Sequence, residues 1–348
     1  MSKIKEFLKR KNIEFSLKRY GIDALGAMAQ GLFASLLIGT ILSTIGSNFG
    51  IEFLVKIGDY AKSVQGIAMA IAIGYALQCP PLVLFSLSAV GFAANELGGA
   101  GGAFAVLIIT IVAAELGKAV SKETKLDILV TPIVTICSGI LLAMGVASYI
   151  GVAASSVGKL IMWATELQPF WMGIIVSAVV GIALTLPISS AAICAGLSLT
   201  GLAGGAALAG CCAQMVGFAV MSFKENRWGG LFAQGIGTSM LQMGNIVKNP
   251  KIWIPAILTS VITGPIATCI FGLEMNGPAV SSGMGTCGLV GQIGVYTGWL
   301  ERGTPITAFD WIGLILVSFV LPAVICPLIS LVCRKLGWIK DGDLKLDM

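Results

Sequence analysis

The sequence predicts an all-α polytopic membrane protein with about 8–10 transmembrane helices and two re-entrant hairpins. Three observations carry this. Only 11% of the 348 residues are charged, 56% are hydrophobic and the mean hydropathy is +0.93, far from the balance of a soluble domain. Residues 167–223 contain no Asp, Glu, Lys or Arg, more than twice the roughly 20 residues that one helix needs to cross a bilayer. Other charge-free windows recur along the chain without the period-two alternation of an outer-membrane barrel.

Taken in order, residues 1–20 hold seven basic side chains and no small-residue cleavage site, so a cleavable signal peptide is not expected. They read as an amphipathic segment, with Ile4, Phe7, Leu8, Phe15 and Leu17 free to lie among headgroups. A single transport domain over 21–335 follows, and then a short tail over 336–348. Lys and Arg concentrate at 3–19, at Lys118, Lys122 and Lys125, at 224–251 and at 334–340, which should face the cytoplasm together with both termini. The net charge of +5 therefore reflects topology and gives no support for nucleic-acid binding.

Parity then constrains the crossings. Residues 22–46 cross outward, three short crossings fill 64–116, and 127–152 crosses outward again, leaving 153–170 outside. From there to the basic stretch at 224–251 the count must be odd, although 167–223 looks like two helices. A hairpin near 187–210 resolves the conflict, since irregular backbone is tolerated at membrane depth where it lines a protein cavity. Residues 252–272 cross outward and 309–333 cross inward, so 273–300 must dip in and return. A faint echo, Ala76 to Pro80 before Gly98–Gly102 and Ala183 to Pro187 before Gly201–Gly205, suggests an internal repeat.

The chain has no histidine, which removes the commonest proton relay and metal ligand, and no metal site or cofactor is expected. Its nine cysteines sit mostly in apolar segments and read as small packing residues. Gly283 to Gly288 matches GxGxxG, but no strand precedes it, and tight hairpin packing explains the glycines better than a dinucleotide. Glu274 is the only charge between Lys251 and Glu301, and an idle intramembrane carboxylate is costly. It is the candidate catalytic residue, or else a helix cap at the outer interface. Asn276, Gln78, Asn95, Glu96, Ser189, Ser190, Gln214 and Gln292 are the candidate substrate-binding groups, with interhelical bonding the competing role for both glutamines.

Several stretches together resemble one known family. They are Gly31 to Thr40, Pro80 to Ser86, Glu115 to Lys118, Thr131 to Thr135, Ala203 to Ala207 and Gly283 to Gln292. The chain resembles the membrane proteins related to enzyme IIC of the bacterial phosphotransferase system, of the PfoR type once described as toxin regulators. The resemblance implies a homodimeric permease in the plasma (inner) membrane that carries a sugar, with phosphate supplied by separate IIA and IIB proteins. In one enzyme IIC group a Gly-Ile-Thr-Glu motif places its glutamate at the sugar hydroxyl. Gly272-Leu273-Glu274 stands in a similar position without the Ile-Thr. Two alternatives stay open: an ion-coupled or facilitative transporter of the same fold acting through Glu96 or Glu274, and a membrane-bound sensor.

Overall fold

The computed structural model describes residues 3–302 and 305–346. Among them the regular elements are helices, apart from one bridge that pairs Gly201 with Met275. Six stretches are long and apolar enough to span a bilayer: Arg19–Ser47, Pro81–Val120, Asp127–Thr165, Gly201–Met221, Pro250–Ile270 and Ala308–Lys335. Two shorter apolar helices, Gln65–Ala76 and Pro169–Thr185, join them. The chain is thus an all-α, multi-pass membrane protein. Its contacts divide it into two compact units, Met1–Ala154 and Ser155–Met348.

The first unit is an antiparallel bundle closed through small residues, which let helix backbones approach. Arg19–Ser47 is met by a returning leg made of Glu52–Ser63 and Gln65–Ala76. A Cβ on Gly39 would come 2.7 Å from the Gly58 carbonyl, and one on Gly31 would come 2.6 Å from that of Ala68. Pro81–Gly98 folds back along that leg, with Gly66 against the Gly91 carbonyl, and Gly102–Val120 returns after a tight turn. These are the three short crossings expected in 64–116. Residues 127–154 complete the unit, Gly139 packing on Val90 and Gly151 on the Gly98 carbonyl.

The N-terminal segment is shorter as a helix than expected. The first helix is only Lys3–Arg10, because the chain turns at Asn12 (φ +53°) and buries Ile13 before the next helix starts near Leu17. Lys118 Nζ donates to the Asn12 carbonyl at 2.9 Å, and Arg19 Nη2 donates to the Leu77 carbonyl at 2.7 Å. Phe15 and Leu17 are exposed, at 75% and 70%. Residues 1 and 2 and the side chain of Ile4 lie outside what is described.

In the second unit three helices settle the parity problem. Ser177 Oγ donates to the Ser260 carbonyl, and Thr268 Oγ1 donates to that of Pro169, so Pro169–Thr185 and Pro250–Ile270 run antiparallel. Leu208 clusters with Ala267 while Gln214 bonds to Ser260 and Trp253, so Gly201–Met221 is also antiparallel to Pro250–Ile270. Pro169–Thr185 and Gly201–Met221 therefore run parallel. The 186–200 segment, with its short helix Ser190–Gly196, must travel back through the depth of the unit between them. The expected hairpin near 187–210 is corrected at its far end. Residues 201–210 belong to the long helix, and only 186–200 is the returning limb. The glycine echo is corrected likewise. Gly98–Gly102 makes a turn between antiparallel helices, whereas Gly201–Gly205 is the first turn of a helix.

The tract at 273–300 dips and returns. Its descending limb passes Gly201, Ser190 and Cys211 in turn, Thr286 Oγ1 reaches the Gly235 carbonyl, and Val290–Glu301 climbs back past Leu208. Gly235 belongs to a feature absent from the sequence reading. The basic stretch 224–251 folds inward, burying Gln234, Ser239, Gln242 and Asn245. Ser239 Oγ lies 2.7 Å from Thr185 Oγ1.

The tail at 336–346 is seated on the other side of this inward fold. Asn226 Nδ2 and Gln242 Nε2 both donate to the Leu344 carbonyl, at 2.8 and 3.0 Å, and Leu344 is buried. Lys224 beside Asp341, with Arg334 near it, holds that carboxyl below its ordinary range. This contribution is present at neutral pH and lost as acid titrates Asp341 through its lowered value.

Candidate functional site

Glu274 sits on a short strand-like segment that carries the single Gly201–Met275 bridge, and the two-residue alternation of burial along it decides which side chains work together. Leu273 and Met275 are buried in a cluster with Leu208, Ala267, Trp299 and Leu314. Successive strand side chains point to opposite faces, so Glu274 and Asn276 share the other face. They are the half-buried and exposed members of the strand.

The strand is held at the N-terminus of Gly201–Met221. Gly201 N donates to the Met275 carbonyl at 2.9 Å, and Met275 N donates to that of Gly201 at 3.0 Å. Gly201 has φ +62°, a left-handed conformation that glycine adopts without a Cβ penalty. A relay then runs outward from the helix. Gly201 N also donates to Asn276 Oδ1 at 3.1 Å, and Asn276 Nδ2 donates to Glu274 Oε2 at 2.9 Å. The two contacts fix the amide orientation, because Oδ1 must accept and Nδ2 must donate. This chain of hydrogen bonds ties the carboxylate of Glu274 to the helix end. Among the described residues no other side chain engages that carboxylate. The result is a carboxylate next to a half-used carboxamide on one exposed edge, a set that can accept from and donate to neighbouring hydroxyl groups.

The other candidates fall in different places. Ser190 Oγ donates to the Gly283 carbonyl at 2.8 Å, and Ser189 caps its short helix by accepting from Ala192 N at 3.1 Å. The Ser189 hydroxyl stays within its own limb, and the Ser190 bond ties that limb to the tract that follows Glu274. Ser282 does the same from the opposite side, donating to the Leu199 carbonyl at 2.6 Å. Nothing in the sequence separated Ser282 from its serine neighbours. Gln292 Nε2 donates to Ser318 Oγ at 3.0 Å, while its Oε1 is buried without a hydrogen-bond partner.

Gln214 is fully buried deeper in the unit. Its Oε1 accepts from Trp253 Nε1 at 2.8 Å and from Thr185 at 3.2 Å, and its Nε2 donates to Ser260. Such saturation suits a packing role. Gln214→Leu should lower the unfolding temperature by stranding Trp253 Nε1, at about 1–3 kcal/mol for the unpaired group, whereas Ser260 keeps its bonds to the Gly210 and Ala256 carbonyls. Ligand affinity measured on the folded fraction should stay unchanged.

Gln78, Asn95 and Glu96 lie in the first unit. Gln78 precedes Pro81–Gly98 and accepts from Asn12 Nδ2 at 2.8 Å, whereas Asn95 and Glu96 occupy the far end of that helix. Its 18 residues span about 27 Å at 1.5 Å per residue, so Gln78 does not share a wall with the other two. Glu96 is exposed and Asn95 is half-buried, close against the backbone of Gly102. The second unit thus pairs Glu274 with Asn276, places Ser189 and Ser190 on the returning limb with Ser190 bonded at Gly283, and leaves Gln214 and Gln292 to internal packing.

Searches of curated proteins and of solved structures each return no match. A family model does match, described as phosphotransferase system, EIIC, and it covers residues 22–346, nearly the whole chain. The chain belongs to the EIIC family of the phosphotransferase system, the membrane permease components of that system.

Proposed function

We propose that this EIIC permease carries a sugar or related hydroxylated solute, with Glu274 and Asn276 as its polar contacts, and that transport is coupled to phosphorylation by a separate phospho-IIB protein. The observation that carries this reading is the free carboxylate held at the first turn of Gly201–Met221 through Asn276. In phosphoryl transfer the sugar hydroxyl oxygen bonds to phosphorus, the phosphorus–donor bond on the partner breaks, and the hydroxyl proton needs an acceptor. Glu274 is placed on this reading to take that proton as general base. The absence of histidine fits, since the phosphorylated carrier groups would sit on other chains.

The protein is placed in the bacterial plasma (inner) membrane with both termini cytoplasmic. The basic residues support this. So does the geometry inside each unit, where Arg10 pairs with Glu123 and Arg334 with Glu225, joining each terminus to a basic stretch. A homodimer built on the N-terminal half is proposed as well. Asp127–Thr165 presents Leu141, Met144, Tyr149 and Val152 at 65–74% exposure, an apolar stripe that a second copy or lipid would cover.

The test is uptake into proteoliposomes with and without purified phospho-IIB. Accumulation of phosphorylated sugar only with phospho-IIB is the expected result. Uptake of unmodified sugar driven by an ion gradient would replace phosphotransfer with ion coupling. Binding without any uptake would favour a sensor.

A further inference from the structure

Two cavities in the first unit meet along the N-terminal segment, and their chemistries are complementary halves of one molecule. The first is a notch of about 360 Å³ whose charged walls are Arg10, Lys11, Lys118, Lys122 and Glu123. The second is a groove of about 480 Å³ walled by apolar side chains, among them Phe7, Leu8, Val112 and Leu116. The same two elements build both. The N-terminal segment gives Arg10 and Lys11 to the notch and Phe7 and Leu8 to the groove. The end of Gly102–Val120 gives Lys118 to the notch and Glu115 to the groove.

The Glu115–Lys118 pair, 2.7 Å apart, joins the two linings, Lys118 on the notch and Glu115 on the groove, and Tyr20 OH donates to the same glutamate at 3.0 Å. Lys118 is therefore neutralised within that pair. Glu123 is shared between Arg10 and Lys11, and the hydrogen bond from Lys11 holds its carboxyl below the usual range. Two cations face that one carboxylate. Lys122 is exposed, and its backbone N–H donates to Asp127 Oδ1 at 2.6 Å, so a second carboxylate stands near the three cations Arg10, Lys11 and Lys122. The notch keeps an excess of positive charge at the level where a spanning helix ends, beside a groove that water would leave unfavourably hydrated.

We propose that this paired notch and groove is a binding site for one anionic phospholipid, its headgroup phosphate among Arg10, Lys11 and Lys122 and an acyl chain along Phe7, Leu8, Val112 and Leu116. A zwitterionic lipid would bring a second cation against the same three, so the site discriminates by headgroup charge. Filling it would pin the N-terminal segment onto Gly102–Val120 from the lipid side. The groove also explains why Phe7 and Leu8 stay only half-buried on a segment otherwise tied down by Lys118 and Arg19.

The test is native mass spectrometry of the purified full-length chain with equal amounts of dioleoyl phosphatidylglycerol and dioleoyl phosphatidylcholine. Phosphatidylglycerol should be retained preferentially. Arg10→Gln with Lys122→Gln, both exposed positions, should weaken it by roughly fivefold for each removed cation and leave phosphatidylcholine unaffected. Val112→Trp, which fills the groove, should also displace the lipid. Equal retention of the two lipids would overturn the proposal, as would an unchanged double variant. Displacement by inorganic phosphate alone, with Val112→Trp silent, would reduce the site to a phosphate notch and overturn the lipid reading.

Discussion

Gly205→Ala should disable the protein although it adds a single methyl group. Gly205 lies in the first turn of Gly201–Met221, where the Glu274 strand crosses the helix. A Cβ there would stand 1.8 Å from the Leu273 carbonyl oxygen and 2.8 Å from its carbon. Both are backbone atoms, so no side-chain rotation relieves the clash, and the strand itself must move. Moving it breaks the paired bonds between Gly201 and Met275 and pulls Leu273 and Met275 out of their buried cluster. Overpacking of this kind costs about 1–3 kcal/mol and more where backbone is displaced, which lowers the unfolding temperature by several degrees. Transport should be lost even in the fraction that stays folded, because Glu274 and Asn276 travel with the strand. Gly26→Ala is the matched control. It also sits in a helix, its Cβ meets nothing within 4 Å, and the change should be neutral or mildly stabilising. Differential scanning fluorimetry of both variants decides the matter. A Gly205→Ala protein as stable and as active as wild type would show that the strand is not locked to the helix.

The parts of this fold that were legible in the sequence are those governed by charge and hydropathy. The crossings in 22–46, 64–116 and 127–152 could be read because charged residues mark their ends. The returning limb at 186–200 and the dip at 273–300 followed from parity, once Lys and Arg had assigned the sides. What parity could not supply was where a limb ends. Gly201, Gly204 and Gly205 looked like hairpin backbone because glycine disfavours helices, yet packing of the Glu274 strand demands small residues there. The inward fold of 224–251 was illegible for a different reason. Its basic ends, Lys224 and Lys251, mark a surface segment, while Gln234, Ser239 and Gln242 between them are polar enough to pass for one. Their partners, Ser222, Thr185 and the Leu344 carbonyl, are remote in sequence, and no local pattern announces a bond across such a gap. At the site the isolation of Glu274 was visible from the sequence. The amide relay to Gly201 was not, since it depends on a register that only the folded strand defines.

Glu274→Gln should separate binding from chemistry. The substitution keeps the side chain's length and volume, and a glutamine oxygen can still accept from Asn276 Nδ2, so the strand and its anchorage to Gly201 should persist. What is lost is the negative charge and the basicity. If Glu274 takes the hydroxyl proton during phosphoryl transfer, the rate of phosphorylated-sugar formation should fall by roughly 10²–10⁴, the range a general base contributes. Sugar affinity, measured by calorimetry or a thermal shift, should change by far less, because one neutral acceptor replaces a charged one on an exposed edge. Asn276→Ala gives the complementary result. It removes the dipole between Gly201 and the carboxylate, so binding and turnover should both weaken while the general base remains. A Glu274→Gln protein that phosphorylates at the wild-type rate would exclude this carboxylate from the chemistry. Its remaining role would then be structural, that of a charge held at the helix end through Asn276. One that loses the ion or pH dependence of uptake, with phospho-IIB irrelevant throughout, would instead assign Glu274 to ion coupling.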